Sequence, residues 1–171
     1  MNCPNSIYLD LKSSITMRCK LFVYYVTTVN ISAMQTHIHT NTIQNIVRIT
    51  LGIFMIGAAI GHFSFARADF QAQVPDWVPM DKDTIVLLSG IPELLLGLAL
   101  IFWTKYNVYI GIVLAIFYVL VFPGNLAQYT EGRDGFGLDT DQKRFIRLLF
   151  QPVLILMTLW CTGALKALFK K

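Results

Sequence analysis

Four apolar blocks dominate the chain after residue 42, and they constrain its fold more than any other feature. They cover roughly residues 43–63, 83–103, 108–122 and 145–165. A helix needs about 20 mainly apolar residues to cross a bilayer. Of the 171 residues, 55% are hydrophobic and only 14% are charged, whereas an ordinary soluble domain is about 25% charged. The sequence therefore predicts an all-α fold, a four-span transmembrane helix bundle.

The second block carries a carboxylate, Glu93, in the run Ser89-Gly-Ile-Pro-Glu93-Leu-Leu-Leu-Gly97. At about 1.5 Å per residue, Glu93 lies about 15 Å from the Asp83 end, near the centre of a bilayer. A charge there costs several kcal/mol unless it is paired, protonated or facing a wet interior. Pro92 also frees the carbonyl of Leu88, which other helices or water must satisfy. Both features predict that this face of the helix points into the bundle.

Polar side chains of the other blocks can share this interior. His62 and Asn125 stand near the ends of the first and third blocks, on the Asp83 side. Arg147 and Gln151 lie on one face of the fourth block. A loop with the rigid run Val74-Pro-Asp-Trp-Val-Pro79 connects the first two blocks on that side and suits the membrane–water interface. We predict a pocket or polar network formed by Arg48, His62, Trp77, Glu93, Asn125, Arg147 and Gln151.

Within this set, Arg48 and Gln151 are the expected partners of Glu93, and an unpaired Glu93 is expected to be neutral. Arg48 lies near the opposite boundary, so it either pairs inward or extends to the headgroups. The set either fixes helix register as a buried network or forms a ligand site, with the Pro-Asp-Trp loop as a cap on the bundle or a wall of that site.

Several classes of function find no support in the sequence. The three cysteines lack CxxC spacing, which argues against a dithiol and against a cysteine zinc site. Asp139-x-Asp141 lacks the remainder of a calcium loop, so no metal site is predicted. The net charge of +4 comes from scattered residues, which excludes a nucleic-acid stripe. No Ser–His–Asp pattern is present, no catalytic residue is assigned, and a hydrolytic enzyme is the least expected class.

Residues 1–42 differ in composition from the rest and form an N-terminal extension. Their one apolar stretch is too short for a span, although basic residues precede it as in a signal peptide. We predict either a poorly ordered extension or a translation start placed too far upstream, with Met34 as the true start. Residues 43–171 then form the membrane domain. Four spans put both termini on one side, and the slight Lys/Arg bias, read with the acidic residues opposite, predicts that this side is cytoplasmic.

A series of short motifs resembles a known family. The motifs are Gly61-His62-Phe63, Val74-Pro-Asp-Trp-Val-Pro79, Ser89-Gly-Ile-Pro-Glu93 with Gly97, and Phe122-Pro-Gly-Asn125. In this order, over roughly residues 43–166, the chain resembles the DoxX-like family of small bacterial integral membrane proteins. The resemblance implies a multi-pass protein of the bacterial cytoplasmic (inner) membrane. The family takes its name from a subunit of a thiosulfate:quinone oxidoreductase and offers no agreed catalytic residues to carry over.

The resemblance and the predicted pocket together suggest an accessory or quinone-associated subunit of a membrane redox system, more readily than a stand-alone enzyme. A quinone is then the one cofactor suggested. The expected partners are the lipid bilayer, other subunits of such a complex or a second copy of the chain, and no nucleic acid. Two alternatives stay open. One is a small proton-coupled carrier, because Glu93 is intramembrane and prolines interrupt two spans. The other is a non-catalytic scaffold whose polar residues only lock packing.

Overall fold

The computed structural model describes residues 39–169, and this part of the chain is all-helical. Four of its helices are long and apolar enough to cross a membrane, which confirms the predicted all-α, four-span architecture. The predicted N-terminal extension covers residues 1–42. Its residues 1–38 lie outside the described part of the chain. The helices are α1 (Thr42–Phe63), α2 (Arg67–Gln71), α3 (Lys82–Phe102), α4 (Asn107–Thr130), α5 (Asp141–Cys161) and α6 (Ala164–Phe169), with a 3₁₀ turn at Thr104–Tyr106.

Side-chain caps set where three of the four spans begin. Asn41 forms a capping box with Gln44, in which each side chain accepts a hydrogen bond from the other residue's backbone N–H. The carboxylate of Asp81 accepts from the N–H of Thr84 at 3.1 Å. The hydroxyl of Thr140 caps α5, which therefore begins four residues before the predicted Phe145. These caps satisfy N–H groups that the first turn leaves without a partner.

The third and fourth spans do not end where the sequence predicted. We expected α4 to stop at Phe122-Pro-Gly-Asn125, but it continues through Pro123 to Thr130. A proline removes one helical hydrogen bond, and the residues beyond it bury Asn125 and Gln128 in the interior. The fourth span ends at Cys161 rather than near residue 165, because Gly163 adopts φ 78° and begins a turn into α6.

Two helix pairs make up the bundle: α1 packs along α3, and α4 packs along α5. Gly52 and Gly97 bring the first pair together, since a Cβ on either would lie 2.9 Å from the other's carbonyl oxygen. The spacing Gly57-x-x-x-Gly61 in α1 also predicts close approach of a partner helix. For Gly57 the expectation is wrong, because a Cβ there would meet nothing within 4 Å. Small residues promote close packing in lipid only where they face a partner helix.

The apolar core lies between these pairs and includes Met55, Leu100 and Leu114, all buried. The third span is almost wholly apolar and aromatic, a composition that predicts a helix facing lipid. The structure corrects this for one face, which buries Leu114 and Tyr118, while Val113 and Leu120 stay exposed on the other. An apolar helix can face lipid on one side and protein on the other, because both surroundings are apolar.

The segment from residue 64 to 81, here called the capping loop, covers one end of the bundle. The guanidinium of Arg133 donates to the carbonyl of Val74 at 2.5 Å and pairs with Asp76 at 2.7 Å. Lys82 contacts the same carboxylate at 2.7 Å, and its hydrogen bond, followed by Arg133, lowers the pKa of Asp76 below its usual range. Gly124 lets the loop approach α4, since a Cβ there would collide with the carbonyl oxygen of Gln73. The capping loop is therefore held by ion pairs with Lys82 and Arg133, by a hydrogen bond from Arg133, and by close packing against α4.

Candidate functional site

A cavity of about 660 Å³ lies between the two helix pairs, beneath the capping loop. Its volume is within the range of small-molecule sites. The α1–α3 pair contributes Met55 and Ser89 to its wall, and the α4–α5 pair contributes Tyr118 and Leu154. Six of the seven residues that the sequence placed in a shared polar interior also line it: His62, Trp77, Glu93, Asn125, Arg147 and Gln151.

His62 and Glu93 form the polar centre of the cavity. The Nε2 atom of His62 lies 3.2 Å from Oε2 of Glu93, and the two side chains are only 6% and 14% exposed. On its other side, the imidazole Nδ1 lies 2.8 Å from the carbonyl oxygen of Val86. The hydroxyl of Ser89 donates to the same carbonyl at 2.9 Å. The end of α1 is thereby joined to α3 through one imidazole ring.

This geometry defines the protonation of the pair. A backbone carbonyl only accepts, so the Nδ1 of His62 carries the proton that faces Val86. Its Nε2 and the Oε2 of Glu93 have no other hydrogen-bond partner in the described part of the chain. Two acceptors 3.2 Å apart repel each other unless a proton lies between them. Besides the proton on Nδ1, the pair therefore holds one proton between Nε2 and Oε2. It is either a neutral imidazole with a carboxylic acid or an imidazolium with a carboxylate.

Aromatic rings hold the imidazole in place. Phe70 of α2 stacks on His62 with ring centroids 3.5 Å apart, and Phe136 meets Phe70 edge-on at 4.6 Å. The guanidinium of Arg147 lies over the Phe136 ring, 5.1 Å from its centroid. With its amide oxygen turned toward Arg147, Gln73 accepts from the guanidinium at 2.5 and 2.9 Å. Arg147 is thus positioned by Gln73 of the capping loop and by Phe136 of the loop between α4 and α5.

A short chain of hydrogen bonds joins α4 and α5 on the far wall of the cavity. The amide of Asn125 donates to Oε1 of Gln151 at 2.9 Å, and Nε2 of Gln151 donates to the carbonyl of Tyr118 at 2.8 Å. The phenol of Tyr118 in turn contacts the sulfur of Met55 at 3.0 Å. Both ends of the Gln151 amide are therefore hydrogen-bonded within its own helix pair. Gln151 does not pair with Glu93, although we predicted from the sequence that it would.

Arg48 is the one predicted site residue that lies elsewhere. Its guanidinium donates to the carbonyls of Leu100 and Ile101 at the end of α3, and it does not reach Glu93. The prediction that Arg48 satisfies Glu93 is therefore wrong. The reason is depth: Arg48 lies in the second turn of α1, whereas Glu93 lies level with the last turns of that helix. The side chain is also buried rather than extended to the surface.

The cavity reaches the outer surface of the bundle as well as its interior. Phe54, Leu120 and Phe150 line it, and each is more than half exposed in the described chain. On a membrane-spanning bundle, such apolar surface contacts lipid tails. A ligand dissolved in the bilayer can therefore enter from the side, while the capping loop covers the end.

Sequence reasoning missed three residues of this site, Phe70, Gln73 and Phe136. Phe70 lies on a helix of five residues, which has too few positions to show a periodic pattern. Phe136 adopts φ 57°, an unusual conformation for a residue with a side chain, which places its ring beneath Phe70. Its glycine-rich surroundings signal a turn but not the direction of the ring.

No group of three or more His, Cys, Asp or Glu side chains that could hold a metal ion occurs between residues 39 and 169.

Comparison with known proteins gives a match to a protein family. Residues 51–162 match the family described as Domain of unknown function (DUF8561). Neither the curated proteins nor the solved structures contain a significant match. The matched range begins in α1 and ends just after α5, so it includes His62, Glu93 and the capping loop.

Proposed function

The chain belongs to the DUF8561 family, and from the geometry of its cavity we propose that it binds a quinone as an accessory subunit of a membrane redox system. The observation that carries the proposal is the one-proton pair of His62 and Glu93 in a cavity that opens to lipid. Quinones dissolve in the bilayer, have planar rings, and take up protons at their carbonyl oxygens when they are reduced. The site offers a matching feature for each property.

The cavity supplies apolar walls and a few polar groups, the usual composition of a small-molecule site. Phe70, Phe136 and Trp77 provide flat surfaces for a ring. Arg147 provides a donor for one ring oxygen, and Glu93 provides one for the other when it turns the shared proton away from His62 and toward the cavity. Reduction of a quinone to the quinol takes two electrons and two protons. The electrons would come from a partner redox subunit, one proton from the pair of His62 and Glu93, and the second proton from water at the membrane boundary.

Binding is tested with the purified protein in detergent micelles and a short-chain ubiquinone, followed by tryptophan fluorescence. We expect saturable quenching that is lost in Trp77→Phe, because Trp77 lines the cavity. Arg147→Gln and Glu93→Gln should weaken binding roughly tenfold or more, as for a hydrogen bond to a charged group. Leu95→Ala, on the exposed face of the same helix as Glu93, is the matched control and should bind normally.

Absence of saturable quenching in the wild type would reject the proposal. Equal weakening by Leu95→Ala would also reject it, because the effect would then come from the helix and not from the pocket. If Glu93→Gln is indistinguishable from the wild type in every assay, the scaffold hypothesis accounts better for the polar set.

The same pair also favours a second candidate, a small proton-coupled carrier. An intramembrane carboxylate that exchanges a proton with an imidazole is typical of proton relays. Proton uptake by proteoliposomes under an imposed pH gradient tests this function. It is supported only if uptake is abolished in Glu93→Gln and retained in Leu95→Ala.

We further propose that the protein resides in a bacterial cytoplasmic membrane with both termini in the cytoplasm. The support is the resemblance to DoxX-like proteins and a slight Lys/Arg bias toward the side of the termini, read with the acidic loop residues, which lie on the opposite side. Fusion of alkaline phosphatase or a fluorescent protein to the C-terminus tests the orientation. Phosphatase activity at that end would contradict it.

A further inference from the structure

A second cleft, of about 710 Å³, lies at the end of the bundle opposite the capping loop. The start of α1, the 3₁₀ turn and the start of α4 form its walls. Three basic side chains line it, His39, Arg48 and Lys105, and no acidic side chain of residues 39–169 does. Amides of Asn45 and Asn107 complete the polar lining. A cleft with this charge favours an anion.

Arg48 indicates most clearly that an anion belongs here. The residue is only 3% exposed, and no carboxylate of the described chain lies within ion-pair distance of it. Its guanidinium donates to Leu100 and Ile101, whose carbonyls carry the partial negative charge of a helix end. Its Nε atom is buried without a hydrogen-bond partner. Two carbonyl dipoles offset only part of a buried positive charge, so the cation lacks a counter-ion.

The position of the cleft indicates which anion is available. Thr42 and Phe102, the ends of two apolar spans, lie beside it, so the cleft is at a boundary of the apolar zone. Trp103 and Tyr106 are exposed next to it, as aromatic residues are at membrane–water interfaces. Phospholipid phosphates lie at this depth.

We propose that this cleft binds a phosphate-bearing anion, with the phospholipid headgroup as its source in the membrane. Arg48 supplies the buried charge and Lys105 an exposed one. The Oδ1 atom of Asn107 is buried and unpartnered, and it accepts from a hydroxyl or ammonium group of the same headgroup. The site is separate from the quinone cavity, so the two proposals stand or fall independently.

The test is native mass spectrometry and thermal unfolding of the delipidated protein with four probes. These are short-chain phosphatidylglycerol, phosphatidylcholine of the same chain length, glycerol 3-phosphate and inorganic phosphate. We expect saturable binding of phosphatidylglycerol that stabilises the protein. Lys105→Gln should weaken it about fivefold, the contribution of one basic residue near a lipid surface. Lys166→Gln, which removes an exposed charge from α6, is the matched control and should bind normally.

Arg48→Lys keeps the charge but loses the planar fork, so it should weaken binding more than Lys166→Gln while still folding. Arg48→Gln should lose binding altogether. If that variant does not fold, Lys105→Gln still decides the question. Equal stabilisation by glycerol 3-phosphate or inorganic phosphate would assign the same site to a soluble phosphate. The proposal is overturned if no probe binds saturably, or if Lys166→Gln weakens binding as much as Lys105→Gln.

Discussion

The side chains of His62 and Glu93 face each other across the contact between the first two spans, with Nε2 and Oε2 3.2 Å apart. The contact joins α1 to α3 and also places one exchangeable proton at the wall of a cavity. One pair of side chains therefore both contributes to the packing of the two helices and lines the cavity, so a structural and a functional role can be tested on the same residues. Substitutions that keep the hydrogen bond but remove the acid separate the two roles.

The first prediction concerns Glu93. In Glu93→Gln the amide can donate to Nε2 of His62, so the free energy of unfolding should change by less than about 1 kcal/mol. In Glu93→Leu the Nε2 atom is left buried without a donor, which should cost about 1–3 kcal/mol. Unfolding in mixed detergent micelles measures both. Equal stability of the two variants would show that the pair contributes nothing to packing.

The second prediction concerns the helix contact at Gly97. A Cβ there would lie 2.9 Å from the carbonyl oxygen of Gly52 and 3.0 Å from Met55 and Ile56. Gly97→Ala must therefore push α1 away from α3 and should destabilise the protein by about 1–3 kcal/mol. Gly57→Ala is the control, because its Cβ enters open space, and it should leave stability unchanged or raise it by up to about 1 kcal/mol. The reverse order would contradict the packing described.

The third prediction concerns Asn125 and Gln151, whose amides meet at 2.9 Å between α4 and α5. A double-mutant cycle with Asn125→Ala and Gln151→Ala should give a coupling energy between about 0.6 and 1.7 kcal/mol, the average and the upper limit for interhelical hydrogen bonds in membranes. The unfolding free energies of the two single variants and the double variant provide it. Strict additivity would indicate that the two amides act independently.

The spans could be predicted from the sequence because apolar length is a property of each segment alone. The inward direction of Glu93 followed in the same way, since a charge in lipid is costly wherever its partner lies. The identity of that partner did not follow. His62 and Arg48 share one face of α1, and only the depth and rotation of α3 against α1 select His62. Those two quantities depend on tertiary packing.

The close contacts were equally difficult to predict. Gly52 and Gly57 are both small residues of α1, yet only Gly52 faces α3. Pro123 resembled a helix end because proline cannot donate to the preceding turn. The helix continues since the residues after it are buried by the rest of the bundle. In both cases the outcome depends on the partner element, which the local sequence does not specify.

The last prediction concerns the acid sensitivity of the capping loop, which Asp76 joins to Lys82 and Arg133. Because the folded-state pKa of Asp76 lies below the ordinary value of 3.8, its contribution is fully present above that pH and is lost as pH falls through the lowered pKa. Amide hydrogen exchange of residues 72–81, divided by the rate of the unfolded peptide, should therefore be constant between about pH 5 and pH 8 and rise below about pH 3.8. At neutral pH, Asp76→Asn should exchange as fast as the acidified wild type. Asp139→Asn, which removes a similar ion pair with Lys143, should leave this segment unchanged, and faster exchange in that variant would assign the effect to net charge instead.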